Sequence, residues 1–97
     1  MTNEIIGRVV ISKAGRDRGR AFLIVGIADD NHVYLADGET RKLAAPKRKK
    51  LKHLRVEAET AETVAEKLTG GKNVLDAELR KSLFALGYNA KPEQKEG

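Results

Sequence analysis

The segment AFLIVGI, residues 21–27, is the strongest constraint on the fold. Seven apolar residues stand in an unbroken row. A run this short and this rich in β-branched side chains fits a strand better than a helix. Apolar residues at every position, without alternation, are the pattern of a strand buried on both faces.

Shorter strands surround it. GRVVIS (7–12) places Val9 and Ile11 on one face and Arg8 on the other. HVYLA (32–36) alternates Val33 and Leu35 with Tyr34, and ADDN (28–31) joins it to the apolar strand through residues that suit tight turns. The pair Asp37-Gly38 is a two-residue hairpin signal, with ETRKL (39–43) as its return strand. LKHLRVE (51–57) is a closing strand with Leu54 and Val56 inward. Leu51 is out of phase with them, which leaves either a bulge or a late strand start. Five short strands in fewer than sixty residues predict a small barrel over residues 1–57, an arrangement that also removes exposed sheet edges.

The period then changes. TAETVAEKL (60–68) puts Ala61, Val64, Ala65 and Leu68 on one helical face, with Thr60 as N-cap and Gly70-Gly71 as the stop. VLDAELRKSLFALG (74–87) carries a stripe of Leu75, Leu79, Leu83 and Leu86 and ends at Gly87, a fitting residue just past a helix. The fold class is thus mainly β with two short C-terminal α-helices, in a helical extension over 58–88. The polar residues 89–97 read as a disordered tail.

Charge adds a functional expectation. The net charge is +5, but residues 1–56 hold 13 Lys/Arg against 6 Asp/Glu and residues 57–97 hold 6 against 8. A basic front half points to a polyanion, most often nucleic acid. Its charge lies in two stretches. SKAGRDRGRAF (12–22) contains Lys13, Arg16, Arg18 and Arg20 beside Gly15 and Gly19. RKLAAPKRKKLKHLR (41–55) contains Arg41, Lys42, Lys47, Arg48, Lys49, Lys50, Lys52 and Arg55 with no acid, and Pro46 holds the chain extended before KRKK. Extended basic segments suit a phosphate backbone through counterion release, and arginine adds planar contacts that lysine cannot make. A solvated loop or a nuclear-localisation run has the same composition. Two clusters flanking one barrel favour the nucleic-acid reading, because strand closure would bring them to one surface. On this reading, replacing Arg16, Arg18 and Arg20 together weakens binding without unfolding. Gly15, Gly19 and Gly38 serve as structural corners, and Gly19→Val damages both fold and binding.

These residues carry a resemblance. GRVVISKAGRDRGRAFLIVG (7–26) resembles a KOW motif with Gly19 as its central glycine. VYLADGETRKLAAPKRKKLKHL (33–54) extends the likeness to KOW-domain RNA-binding proteins related to the eukaryotic and archaeal large-subunit ribosomal protein of the fourteen-e type. The resemblance covers about residues 5–56. It implies an SH3-like barrel that binds RNA, above all ribosomal RNA, and contacts with large-subunit proteins. Carried across position by position, the RNA contacts would be Ser12, Lys13, Arg16, Arg18 and Arg20, then Arg41, Lys42, Lys47, Arg48, Lys49, Lys50, Lys52 and His53.

Other classes are weaker. His32 and His53 lack the spacing of a zinc site, Asp29 and Asp30 read as turn formers, and GGK (70–72) lacks the rest of a phosphate loop. No enzyme activity, metal or cofactor is expected. With only two Phe and two Tyr and no Trp, a broad base-stacking platform is not expected either. The competing reading is a protein-interaction module of the transcription or translation machinery, docking through the barrel or through helix stripes left exposed. The absence of cysteine suits a reducing compartment. No apolar run spans a bilayer, and MTNEIIGRVV lacks the order of a signal peptide. A soluble, cytoplasmic monomer is the expectation.

Overall fold

The computed structural model describes residues 3–89. After a 3-10 turn at Asn3–Ile5 come β1 (Arg8–Ser12), β2 (Ala21–Asp29), β3 (His32–Ala36), β4 (Lys47–Lys50) and β5 (Leu54–Thr60), then α1 (Glu62–Thr69) and α2 (Asp76–Ala85). The strands form one antiparallel sheet in the order β4-β3-β2-β1-β5.

The apolar strand lies at the centre of that order and feeds two cores. Ala21 and Leu23 join Val9, Ala36, Ala61, Val64, Leu79 and Leu83 on the face covered by the helices. Phe22 and Ile24 join Ile6, Val10, Val33, Leu35 and Leu54 on the other face. Burial on both faces therefore holds for residues 21–24, while residues 25–28 are half-buried. Each fully buried large side chain contributes on the order of 1.5–3 kcal/mol. One layer of cover comes from α1 and α2. The other comes from the sheet itself, which curls.

The curl follows from topology. β4 and β5 are consecutive in the chain yet occupy opposite edges, with only the 3-10 turn Leu51–His53 between them. Leu51 N–H donates to Asn31 O at 2.8 Å, and Lys13 N–H donates to His53 O at 2.9 Å. The turn is thus tied to the β2–β3 corner at one end and to the β1–β2 loop at the other. Register shifts in β2 between Ile24 and Gly26 and between Ile27 and Asp29 supply the bend. Among the described residues no ladder joins β4 to β5, so the hydrogen-bonded sheet has β4 and β5 as its edges. Leu51 belongs to this turn, which makes its phase break a late strand start.

Several sequence expectations are corrected here. ETRKL is not a return strand; residues 37–46 form a loop, and KRKK itself is the strand, pairing Lys47, Arg48, Lys49 and Lys50 with Leu35, Tyr34, Val33 and His32. The cause is Asp37, whose carboxylate accepts the amides of Glu39 and Arg41 and so turns the backbone aside from a ladder. Val56 lies opposite Val10 but on the edge strand, and it is 44% exposed. Thr60 ends β5, and Ala61, not Thr60, occupies the N-cap of α1. Leu75 precedes α2 and is 63% exposed; Val74 packs on the core in its place.

The rest of both helix stripes is covered: Ala61, Val64, Leu79 and Leu83 are buried, and Leu68 and Leu86 pack against the same core. Asn89, expected in a disordered tail, is placed. Its side-chain amide donates to Ala21 O at 2.8 Å and its oxygen accepts from Ala21 N–H at 3.1 Å. The remainder of the expected tail, 90–97, lies outside the described residues. No described helix is long and apolar enough to cross a membrane.

Candidate nucleic-acid interface

The two basic stretches, 12–22 and 41–55, meet. Lys49 Nζ on β4 donates to Ala14 O in the β1–β2 loop at 3.1 Å, and the Lys13–His53 backbone bond joins that loop to the 3-10 turn. Lys47 and Lys49 face the same side of the sheet as Leu35 and Val33 and are half-buried, while Arg48 and Lys50 are exposed. This alternation lets lysine stems cover the rim of the core while their ammonium groups reach out. A short edge strand of four cations also resists edge-to-edge pairing.

The loop between β1 and β2 is held by its own backbone. Gly19 N–H donates to Ser12 O, Arg18 N–H to Gly15 O and Arg20 N–H to Asp17 O. Gly15 and Gly19 both have positive φ, as their role as corners requires. Ser12 does not reach the surface: it is 2% exposed, and its hydroxyl donates to Ala14 O. It shapes the loop from inside.

The expected contact residues divide into two groups. Arg20 Nε donates to Asp37 at 2.6 Å and its Nη2 to Glu39 at 3.0 Å, and Arg41 Nη2 donates to Asp17 at 3.1 Å. These two arginines clamp the β1–β2 loop to the 37–46 loop. Arg48 pairs with Asp29, which also accepts from the Asn31 amide and lies 2.9 Å from His32 Nδ1. The hydrogen bond from His32, then the Asn31 amide, pulls the Asp29 carboxyl down to about 2. Lys13, Arg16, Arg18, Lys42, Lys47, Lys50, Lys52 and His53 make no side-chain hydrogen bond or ion pair among the described residues. The charge of the lysines and arginines among them is available to a ligand.

Asp37 is the residue whose role sequence reasoning understated. It is 1% exposed and accepts from the Glu39 and Arg41 amides, the Thr40 hydroxyl and Arg20. Burial opposes its ionisation, but the two amides, the guanidinium and the hydroxyl outweigh it, so its carboxyl is held below the ordinary 3.8. A carboxyl depressed in the folded state adds stability that is complete above its unfolded value and is lost as pH falls through the folded value. Thermal melts should therefore hold steady from pH 7 to about 5 and decline below about pH 4. Asp37→Asn should melt lower at neutral pH and lose less on acidification; a mutant curve parallel to the wild type throughout would contradict this.

No protein-family model matches this chain, and no curated protein matches it. Among the described residues, no group of three or more acidic or histidine side chains is arranged to hold a metal ion.

Proposed function

We propose that this protein binds RNA through one continuous cationic surface made by the β1–β2 loop, β4 and the 3-10 turn before β5. The observation that carries this reading is the junction of those segments through Lys49–Ala14 and Lys13–His53, bordered by cations without acidic partners. The resemblance of residues 5–56 to KOW-domain proteins, carried in part by the same basic segments, agrees with it. On that resemblance the curled sheet is an SH3-like barrel, the RNA is ribosomal, and the protein associates with the large ribosomal subunit in the cytoplasm. The contact set is Lys13, Arg16, Arg18, Lys47, Lys50, Lys52 and His53, extended by Lys42 on the adjoining 37–46 loop, with Arg20, Arg41, Lys49 and Ser12 holding the loops that present them.

Binding to a structured ribosomal RNA fragment, measured across a salt series, tests this. Neutralising about 5 phosphates gives a slope of log K on log salt of about −4. Replacing Arg16 and Arg18 with Gln should weaken binding roughly tenfold or more and flatten the slope by about 2 units, with the melting temperature unchanged. Arg20→Gln should instead destabilise the fold by about 1–3 kcal/mol, because it leaves the buried Asp37 carboxylate without its guanidinium; the partial exposure of Arg20 keeps the loss below that of a fully buried pair. Salt-independent binding, or equal affinity after loss of Arg16 and Arg18, would remove this surface from the interface.

A further inference from the structure

A second group of cations stands at α2. A groove of about 470 Å³ opens there, lined by Arg20 and Lys42 from the loops and by Arg80 and Lys81 from the helix. Lys42, Arg80 and Lys81 are exposed, and none of the three pairs with an acid among the described residues. The acids nearby are occupied. Asp37 and Glu39, the two in the lining, both accept from Arg20. On α2 itself, Asp76 accepts Leu43 N–H and Glu78 accepts from Lys67. The lining thus holds four cations against two acids, with the surplus at Lys42, Arg80 and Lys81.

The loop and the helix are fixed to each other. Arg80 donates from Nη1 to Gly38 O at 2.7 Å, and Leu43 N–H donates to Asp76 at 2.8 Å. Like charges held around one groove repel one another, and a polyanion lying between them relieves that repulsion. Arg20 ends the β1–β2 loop and also lines the groove, so the groove opens beside the basic surface.

We infer that this groove holds a second stretch of the RNA phosphate backbone, with Lys42, Arg80 and Lys81 as its contacts. This rests on the RNA-binding reading and extends it: α2 belongs to the RNA interface as well as covering the core. Each contact neutralises phosphate and releases counterions, so it is read in the salt dependence of binding.

The test repeats the salt series on a structured ribosomal RNA fragment with variants of α2, each checked by thermal melting. Lys81→Gln, a change at an exposed position, should weaken binding roughly threefold at low salt and flatten the slope of log K on log salt by about 0.7–0.9, with melting unchanged. Arg80→Gln combined with Lys81→Gln should flatten it by about twice as much. Arg80→Lys keeps the charge and should keep the slope, even where loss of the bond to Gly38 lowers the melting temperature. Binding that depends on Arg16 and Arg18 but keeps its affinity and slope in the α2 variants would overturn the inference and leave the RNA-binding reading standing. Affinity lost without a change in slope would also overturn it, because α2 would then act on the fold and not on phosphate. Micromolar binding of a nucleoside monophosphate by the wild type, lost in Lys81→Gln, would assign the groove to a free nucleotide and overturn the RNA backbone as its occupant. Failure of the wild type to bind the RNA would overturn the RNA-binding reading itself, and the inference with it.

Discussion

Gly38→Val should leave the protein largely unfolded at room temperature. Gly38 has φ +80°, a region that β-branched residues rarely enter, and it is buried beneath the start of α2. A Cβ there would land on the Asp76 carbonyl oxygen and lie 3.0 Å from its carbon and 3.1 Å from Arg80 Cγ. Backbone cannot step aside as a side-chain tip can. The same contact region holds the Arg80–Gly38 bond and the bond from Leu43 N–H to Asp76 at 2.8 Å. Strain, collision and lost bonds together should exceed about 4 kcal/mol, against a total of roughly 5–15 kcal/mol for a domain. Gly19→Val supplies the control. Its φ is +85°, but nothing lies within 4 Å of the added carbon. It should lose only about 1–2 kcal/mol from strain, milder than the sequence alone suggests. Circular dichroism melts of both variants check this; equal melting temperatures would show that the approach of α2 to the 37–46 loop is not as described.

Removing the helices should abolish the soluble fold. A chain ending at residue 58 keeps all but the last two residues of β5 but uncovers Val9, Leu23 and Ala36, each at 0% exposure, together with Ala21 at 1%. A contiguous apolar sheet face of this kind drives association. The truncated chain is expected to aggregate, and a monomeric, cooperatively melting fragment would refute the shared core. Point changes refine the same claim. Leu79→Ala, at a fully buried position, should lose about 2–5 kcal/mol, while Leu75→Ala, at 63% exposure, should stay within about 0.5 kcal/mol. The sequence places both leucines on one stripe; only packing separates them.

That contrast marks how far the sequence can be read. The central strand was legible because an unbroken apolar run has one stable home, between two layers. The helices were legible by period, and Gly87, at φ +96°, ends α2 as its position suggested. KRKK was not legible as a strand. Its cations look like solvated loop until Val33 and Leu35 across the ladder give their stems something to cover. Asp37-Gly38 looked like a hairpin because the dipeptide carries the turn geometry, but it does not say where the Asp37 carboxylate spends its hydrogen bonds. The basic segments were legible as charge, and not as roles. Arg20 and Arg41 pair with acids 17 to 24 residues away, a distance that only the fold closes. In the sequence Lys81 reads only as a complement to the helix dipole, because residues 57–97 carry net negative charge and hide the neighbouring cations Arg80 and Lys81 on α2.

Whether the joined basic surface meets RNA is read most simply by co-sedimentation with cell lysate on sucrose gradients. The protein would be run at low and high salt and its crosslinked RNA sequenced. The expected result is migration with large-subunit particles at low salt, release at high salt, and discrete ribosomal RNA crosslinks that disappear when Arg16 and Arg18 are replaced. Protein that stays at the top of the gradient at both salts, with no RNA crosslinks, would contradict it.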